Sequence, residues 1–321
     1  MTHQITQLWL RRLLLFVLAG ALMIGVVFFS TGKVPLYATG SAAPANAKPQ
    51  VVGYGWSGTQ YAGRLELYLK ELFRGQLVLT NQPGAASNWL HSGERLPMLP
   101  QIAASWWSSF KLFAVAFGVG GGLGVLIGIV VAFHSRLVRG VSLGLSVVTL
   151  SIPDFLWVVL GQMATIWSFR HFGVSLFHVL GGGDSLKDFA LPLIALSLMP
   201  LGYAIRLTAG AMEEIMTEDY IRTARAKGIH EGRVIVGHAL RNALPRVAAG
   251  LPGMLAVVLS SLYVVEYLTN YPGLTKWLEV YQTEAIATAG LCFVAWFVLF
   301  DGLANTLRLL VSPPREEGLE L

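Results

Sequence analysis

Three carboxylates lie inside or at the edge of long apolar runs: Asp154, Glu266 and Asp301. An ionisable group in hydrocarbon is costly, so each is a candidate for ion or proton handling unless neighbouring donors satisfy it within helix packing. Asp154 follows Pro153, whose ring leaves a backbone carbonyl without its donor, and both readings stay open for it. Asp301 reads as a packing carboxylate. Glu266 sits at the end of its run and is expected to be hydrated. None is read as a proton relay. His134, His171, His178, His230 and His238 do not fall at metal-ligand spacing, and His171 and His178 are expected to be solvent-exposed. There is no His-Glu-x-x-His and no catalytic triad. The expectation is a chain with no catalytic residue, no metal and no cofactor of its own.

A second group of residues does mechanical rather than covalent work. Gly118, Gly120, Gly121, Gly122, Gly124 and Gly128 lie in one apolar run. The steps Gly120/Gly124 and Gly124/Gly128 are small-xxx-small, which lets two helix backbones approach closely. A phosphate loop is excluded, because no Lys-Ser/Thr follows. A third group forms a polar insert of about forty residues, 206–246, between two apolar runs. It carries helix punctuation: Thr217 as an expected cap, Glu218 and Asp219 where the helix dipole favours anions, Arg225 and Lys227 where it favours cations, and Gly228 as the stop. A further helix is expected from about His230 to Pro245. Connections in helical bundles usually take two to eight residues, so a long, helical connection points to a docking element.

These groups need a scaffold, and composition names its class. Of 321 residues, 54% are hydrophobic and only 13% are charged, where soluble domains carry about 25% charged. That excludes an ordinary soluble protein. The net charge of +5 favours a membrane over nucleic acid, because the basic residues cluster at the ends of apolar runs. With Cys292 alone, no intramolecular disulfide forms. A bilayer core of about 30 Å takes roughly 20 helical residues. Six runs qualify, near 13–30, 110–133, 141–167, 189–207, 247–266 and 286–310, and the third is expected to break at Pro153 and Asp154. The first reads as an uncleaved signal anchor, since Ala45-Asn46-Ala47 lies too far beyond its apolar run for a normal cleavage site.

The fold class is therefore an all-α polytopic membrane protein with about six spans. Thirteen of the 23 basic residues fall in segments 1–12, 134–140, 206–246 and 308–321, which places both termini and the 206–246 insert in the cytoplasm. The chain divides into 1–30, an external segment 31–109, a core 110–311 containing the 206–246 loop, and a tail 312–321. Within the external segment an amphipathic helix is predicted around Tyr61 to Arg74, with Leu65, Leu69 and Leu72 on one face and Glu66 paired with Lys70.

At this point the residues resemble a known family. Tyr220-Ile221-Arg222-Thr223-Ala224-Arg225-Ala226-Lys227-Gly228, followed by His238-Ala239-Leu240-Arg241-Asn242-Ala243, is similar to the coupling loop of ABC-importer permeases of the dipeptide/oligopeptide/nickel type. Ser151-Ile152-Pro153, Glu266 with Tyr271-Pro272-Gly273-Leu274, and Phe73-Arg74-Gly75-Gln76-Leu77 match further motifs in the same order. The likeness covers roughly 60–311. There are departures: Arg222-Thr223-Ala224 stands where the wider signature has Glu-Ala-Ala, and Asn242-Ala243-Leu244-Pro245 is one residue short. Thr283-Glu284-Ala285 replaces Arg-Asp-Tyr, and Ser312-Pro313-Pro314-Arg315 replaces Asp-Pro-Arg.

The resemblance implies a type I ABC-importer permease fold in a bacterial or archaeal cell membrane. It implies partners: a second related permease, two ATP-binding subunits that hold ATP-Mg, an external substrate-binding protein, and the lipid bilayer. It makes Tyr220, Arg222, Thr223, Ala224, Arg225, Ala226, Lys227, Gly228, His238 and Asn242 the residues of ATPase coupling. Small residues (Ala224, Ala226, Gly228) would let the helix approach closely, Tyr220 would anchor it, and Arg222, Arg225 and Lys227 would steer an acidic partner. Peptides are the implied substrate, with nickel or another small solute next. The rival from a different class is a self-sufficient secondary transporter using Asp154 and Asp301.

Overall fold

The structure, a computed structural model, describes residues 2–37, 51–80, 95–134, 136–179, 185–279 and 282–311. The Gly/Ala/Pro/Ser-rich stretch from Ala38 to Pro49, the loop containing Asn81 and Pro83, and the tail from Ser312 lie outside the described residues. The helices are α1 (Thr2–Phe29), α2 (Gly58–Arg74), α3 (Met98–Val131), α4 (Arg136–Ser151), α5 (Asp154–Phe172), α6 (Leu186–Met216), α7 (Asp219–Ala226), α8 (Glu231–Arg233), α9 (Arg241–Thr269) and α10 (Thr283–Val311). Two small antiparallel ribbons add the strands β1 (Lys33–Tyr37), β2 (Val51–Trp56), β3 (Val78–Thr80) and β4 (Arg95–Pro97). Five helices are long and apolar enough to cross a membrane, and a bent pair makes a sixth span if counted as one.

Several boundaries differ from the sequence reading, the first span beginning at Thr2 rather than 13. The second span begins at Met98 rather than 110, because Pro100 falls in the first helical turn, where no N–H partner is required. The fourth runs on to Met216 rather than 207. The fifth does not start afresh after Pro245. α8, a π-helical segment over Val234–Leu240, and α9 form one helix from Glu231 to Thr269 that carries Pro245 and Pro252 inside it. Neighbouring helices tolerate such prolines in membrane proteins. The expected break is present: α4 and α5 meet at 99° across Ile152 and Pro153, as a pre-proline residue disfavours helix.

The chain forms two compact units. The first gathers Ser105–Thr275 with the N-terminal part of α1 and the C-terminal part of α10. Its centre is α6 packed on α9, with α4 and α5 against them. Leu196, Ile205, Met212, Val258, Leu262 and Val265 are fully buried there. α3 lies against α6 through its glycines. A Cβ on Gly120 would stand 2.3 Å from Ser197 O, one on Gly124 2.6 Å from the Ala204 Cβ, and one on Gly128 2.7 Å from the Thr208 Cβ. In the same unit Trp106 turns inward to Trp296 (5.6 Å between ring centroids), whereas Trp107 stays exposed.

Two carboxylates, Asp301 and Asp188, anchor elements of this unit. Asp301 is buried, pairs with Arg12, and accepts from Asn305 Nδ2 at 3.1 Å. Trp9 packs over Gly302 on the same side. The N-terminal end of α1 is thus fastened to α10 by a shielded ion pair. Removing one partner of such a pair strands a charge, whereas replacing both with apolar side chains is far milder. Arg12→Ala is therefore expected to cost about 3 kcal/mol, and Arg12→Met combined with Asp301→Leu to recover most of it, read by thermal unfolding in detergent. Equal losses in the two variants would refute the pairing. His178 is exposed, as expected, and its Nδ1 donates to the Asp188 carboxylate (2.7 Å), which closes a capping box with Ser185 at the start of α6.

The second unit gathers Leu15–Ala104 and Lys276–Ala295. The amphipathic helix forms as α2, slightly longer than predicted, with Leu65, Tyr68, Leu69 and Leu72 turned inward and the Glu66–Lys70 pair at 2.5 Å outside. Tyr68 is buried against Phe28 and shares a hydrogen bond with Thr288 Oγ1 (3.3 Å). Gly75 ends the helix at φ 70°, the left-handed conformation glycine supplies at least cost.

Candidate functional site

The connection between α6 and α9 begins with a stop. The Thr217 hydroxyl donates back to Glu214 O (2.7 Å), closing α6. Thr217 therefore does not cap the next helix. Glu218 occupies that position in extended conformation, with no side-chain capping bond. α7 then makes two turns, with Asp219 in the first and Arg225 in the last, the arrangement the helix dipole favours. Gly228 (φ 72°) ends it: its N–H donates to Arg225 O (2.9 Å) and the Ile229 N–H to Ala224 O (3.4 Å), a Schellman closure. His230 opens the following helix, its Nδ1 accepting from the Gly232 N–H (3.2 Å).

An isolated eight-residue helix is not stable in water, so packing must hold it. Ile221 is fully buried and Ala224 nearly so, at i and i+3 on one face. They enter a cluster with Met212 and Ile215 of α6, Val234, Ile235 and Ala239 of the π segment, and Ala243 and Val247 of α9. Burying the Ile221 side chain contributes about 2 kcal/mol. This corrects the expected role of Ala224, which packs inward and is not offered to a partner. Tyr220, Arg222, Thr223, Ala226, Lys227 and Gly228 form the exposed face.

Polar contacts fix the rim. Asn242 Nδ2 donates to the Tyr220 hydroxyl (2.8 Å), joining the two ends of the motif and leaving the ring 41% exposed. Arg222 reaches Asp219 at 3.3 Å, and the Thr223 hydroxyl donates to Asp219 O. Arg225 grips Glu231 through two nitrogens, at 3.2 and 2.6 Å. It is therefore committed within the chain and not free to steer a partner, while Lys227 has no partner among the described residues. His238 is half-buried on the π segment. Below the loop, Glu214 pairs with Arg246 (2.5 Å) and Glu213 with Arg139 (3.1 Å).

The Arg225 guanidinium holds the Glu231 carboxyl below its ordinary value of 4.5, chiefly by hydrogen bonding, and Glu231 in turn raises Arg225. A depressed carboxylate stabilises the fold above its unfolded value and loses that contribution as pH falls through the lower folded one. The pair's contribution is thus complete above about pH 4.5 and disappears below it. The groups are 41% and 49% exposed, so solvent screening limits the contribution to about 0.5 kcal/mol. Arg225→Glu should loosen the turn and make it more protease-sensitive, and adding Glu231→Arg should restore it. Failure of the charge swap to restore protection would rule out the pair as the clasp.

The intramembrane candidates separate clearly. Glu266, expected to be hydrated, is fully buried: it accepts from the Ser109 hydroxyl (2.5 Å) and from the Thr275 N–H (3.2 Å) and hydroxyl (2.6 Å). Buried carboxylates of this kind require donors, and Ser109 of α3 and the Tyr271–Thr275 turn supply them. A Cβ on Gly273 would lie 2.1 Å from Glu266 Oε2, which explains glycine in that motif. Asp154 accepts from the Ser261 hydroxyl of α9, while its Oδ1 is buried with no hydrogen bond among the described residues. Ser109 and Thr275, which bond Glu266, and Glu231, which bonds Arg225, are partners that the sequence did not single out.

Residues 124–312 match the family of binding-protein-dependent transport system inner membrane components, a span of more than half the chain. The chain belongs to this family. Among its relatives, a putative peptide transport system permease protein of Brucella abortus (strain 2308) is 31% identical over 74% of this chain and 71% of that one. The dipeptide transport system permease proteins of Escherichia coli (strain K12) and Bacillus subtilis (strain 168) are 36% and 33% identical, over 41% and 53% of this chain. Those matches cover 40% and 53% of the relatives' own lengths. A chain from inward-facing MetNI methionine ABC transporter crystals shares the fold at 17% identity and a TM-score of 0.56, over 68% of this chain and 99% of that chain. This inner membrane component is a multi-pass cell-membrane protein of the ABC-permease fold, and the family match contains the whole 217–245 connection.

Proposed function

We propose that this inner membrane component is one permease subunit of an ATP-driven importer for peptides. The observation that carries the reading is the seated helix α7: its inner face is fixed by Ile221 and Ala224 on α6 and α9, and its outer face presents Tyr220, Arg222, Thr223, Ala226 and Lys227. A short helix held this firmly at the junction of two spans suits the transfer of force. In this reading the loop and both termini are cytoplasmic, in line with the distribution of Lys and Arg. Two ATP-binding subunits engage the loops of this chain and of a related second permease, and an external binding protein delivers the solute. ATP-driven closure draws the two α7 helices together and turns the path outward, and hydrolysis in the partner subunits resets it. The peptide assignment follows the names of the relatives. The commitment of Asp301 to Arg12 takes one of its two acidic sites from an ion-coupled mechanism.

Purification of the tagged chain from native membranes in mild detergent tests this. The expected result is a complex with an ATP-binding subunit and a second permease, with ATPase activity that falls to background in Gly228→Glu. Recovery of the chain alone, catalysing solute uptake in ion-gradient liposomes without ATP, would refute it.

A further inference from the structure

A groove of about 510 Å³ opens between α4, α6 and α9, directly below the loop. That volume suits a small solute. Tyr203, Arg206, Gly210 and Glu214 line it from one face of α6, at helical spacing, and Arg246 enters from α9. Leu150 and Leu207 supply apolar wall. Its charges do not balance. Glu214 is taken by Arg246 at 2.5 Å, and the neighbouring Glu213 is taken by Arg139. Arg206 is exposed to the groove and has no hydrogen-bond or ion-pair partner among the described residues. Gly210, one turn on, has open space where a side chain would be. A guanidinium fork beside an empty position and an apolar wall matches a planar carboxylate carried on a small body.

We propose that Arg206 is the residue of this chain that recognises a carboxylate of the transported solute, such as the C-terminal carboxylate of a short peptide, at the mouth of the path nearest the loop. The proposal rests on the importer reading above and adds a chemical class to it. Placement gives the site its use. Glu214 precedes the loop by three residues and Arg246 follows it, so movement of α7 reaches the Glu214–Arg246 pair first and reshapes the groove around Arg206.

The test is ATP-dependent uptake by the complete complex, with its binding protein, in liposomes, comparing dialanine with dialanine amide. Wild type is expected to favour the acid. Arg206→Gln should reduce the acid-over-amide ratio by about tenfold or more, the value of one charged hydrogen-bonded contact. Arg206→Lys, which keeps the charge without the fork, should give an intermediate ratio. Comparing the ratio between wild type and variants that share one binding protein cancels that protein's own selectivity. Either variant transporting with the wild-type ratio overturns the site while leaving the importer reading intact. Wild type showing no ATP-dependent uptake of dialanine fails the importer reading and takes the site with it. The ratio should be the same in phosphatidylcholine and phosphatidylglycerol liposomes. A preference present in only one of them assigns the groove to lipid headgroups and overturns the proposal.

Discussion

Ala224→Glu is expected to reduce ATP-driven uptake to background. Ala224 belongs to the buried cluster that includes Met212, Ile215 and Val234 and has almost no exposed surface. A carboxylate there meets no donor, and burying an unpaired charge costs several kcal/mol. α7 cannot hold its shape without that face, so it lifts off its seat. The spans themselves should keep their structure, so the melting temperature of the membrane part should fall little while co-purification of the ATP-binding subunit is lost. Ala226→Glu, two residues on but exposed, separates seating from docking: it should leave α7 folded and weaken only the partner's grip. Wild-type uptake in Ala224→Glu would remove the loop from the mechanism.

Glu266→Ala is the second large effect, and it acts on stability. The substitution leaves the Ser109 hydroxyl and the Thr275 hydroxyl and N–H buried without their acceptor. Stranded donors cost about 1–3 kcal/mol each, and relaxation of the turn recovers part, so a loss of about 3 kcal/mol is expected. Glu266→Gln keeps the shape but turns an amino group toward donors, and should fall between. Gly273→Ala should approach the alanine variant, because its new Cβ occupies the place of the carboxylate. Thermal unfolding in detergent orders the three. An unchanged midpoint for Glu266→Ala would show that the turn does not depend on the carboxylate.

Much of the scaffold was legible in the sequence, because its signals are local. Apolar runs mark spans by length alone, Pro153 marks a break because its ring constrains the residue before it, and Gly228 marks a helix end because the left-handed conformation suits few other residues. The glycine steps on α3 announced a close approach, though not that α6 would be the neighbour. What stayed hidden depends on folding back through space. Glu266 looked hydrated because its partners Ser109 and Thr275 belong to other segments, one of them 157 residues away. Arg225 looked free because Glu231 lies across a turn, outside the i+3 and i+4 spacing of helical pairs. Ala224 looked like part of a docking face because alanine is compatible with either side of a helix. Only the apolar Ile221 three residues earlier marked the inner one.

The helix from Glu231 to Thr269 has a mechanical consequence. At 1.5 Å per residue it is roughly 58 Å long, with the α7 seat near one end and Glu266 near the other. Where its backbone ladder is complete it transmits displacement almost without loss. Its compliance is concentrated at the π segment over Val234–Leu240, at Pro245 and at Pro252, all on the α7 side of Gly253. The joints therefore lie beside the place where force is applied. The stretch from Gly253 to Thr269 should move as one stiff rod, carrying the Glu266 anchorage with it.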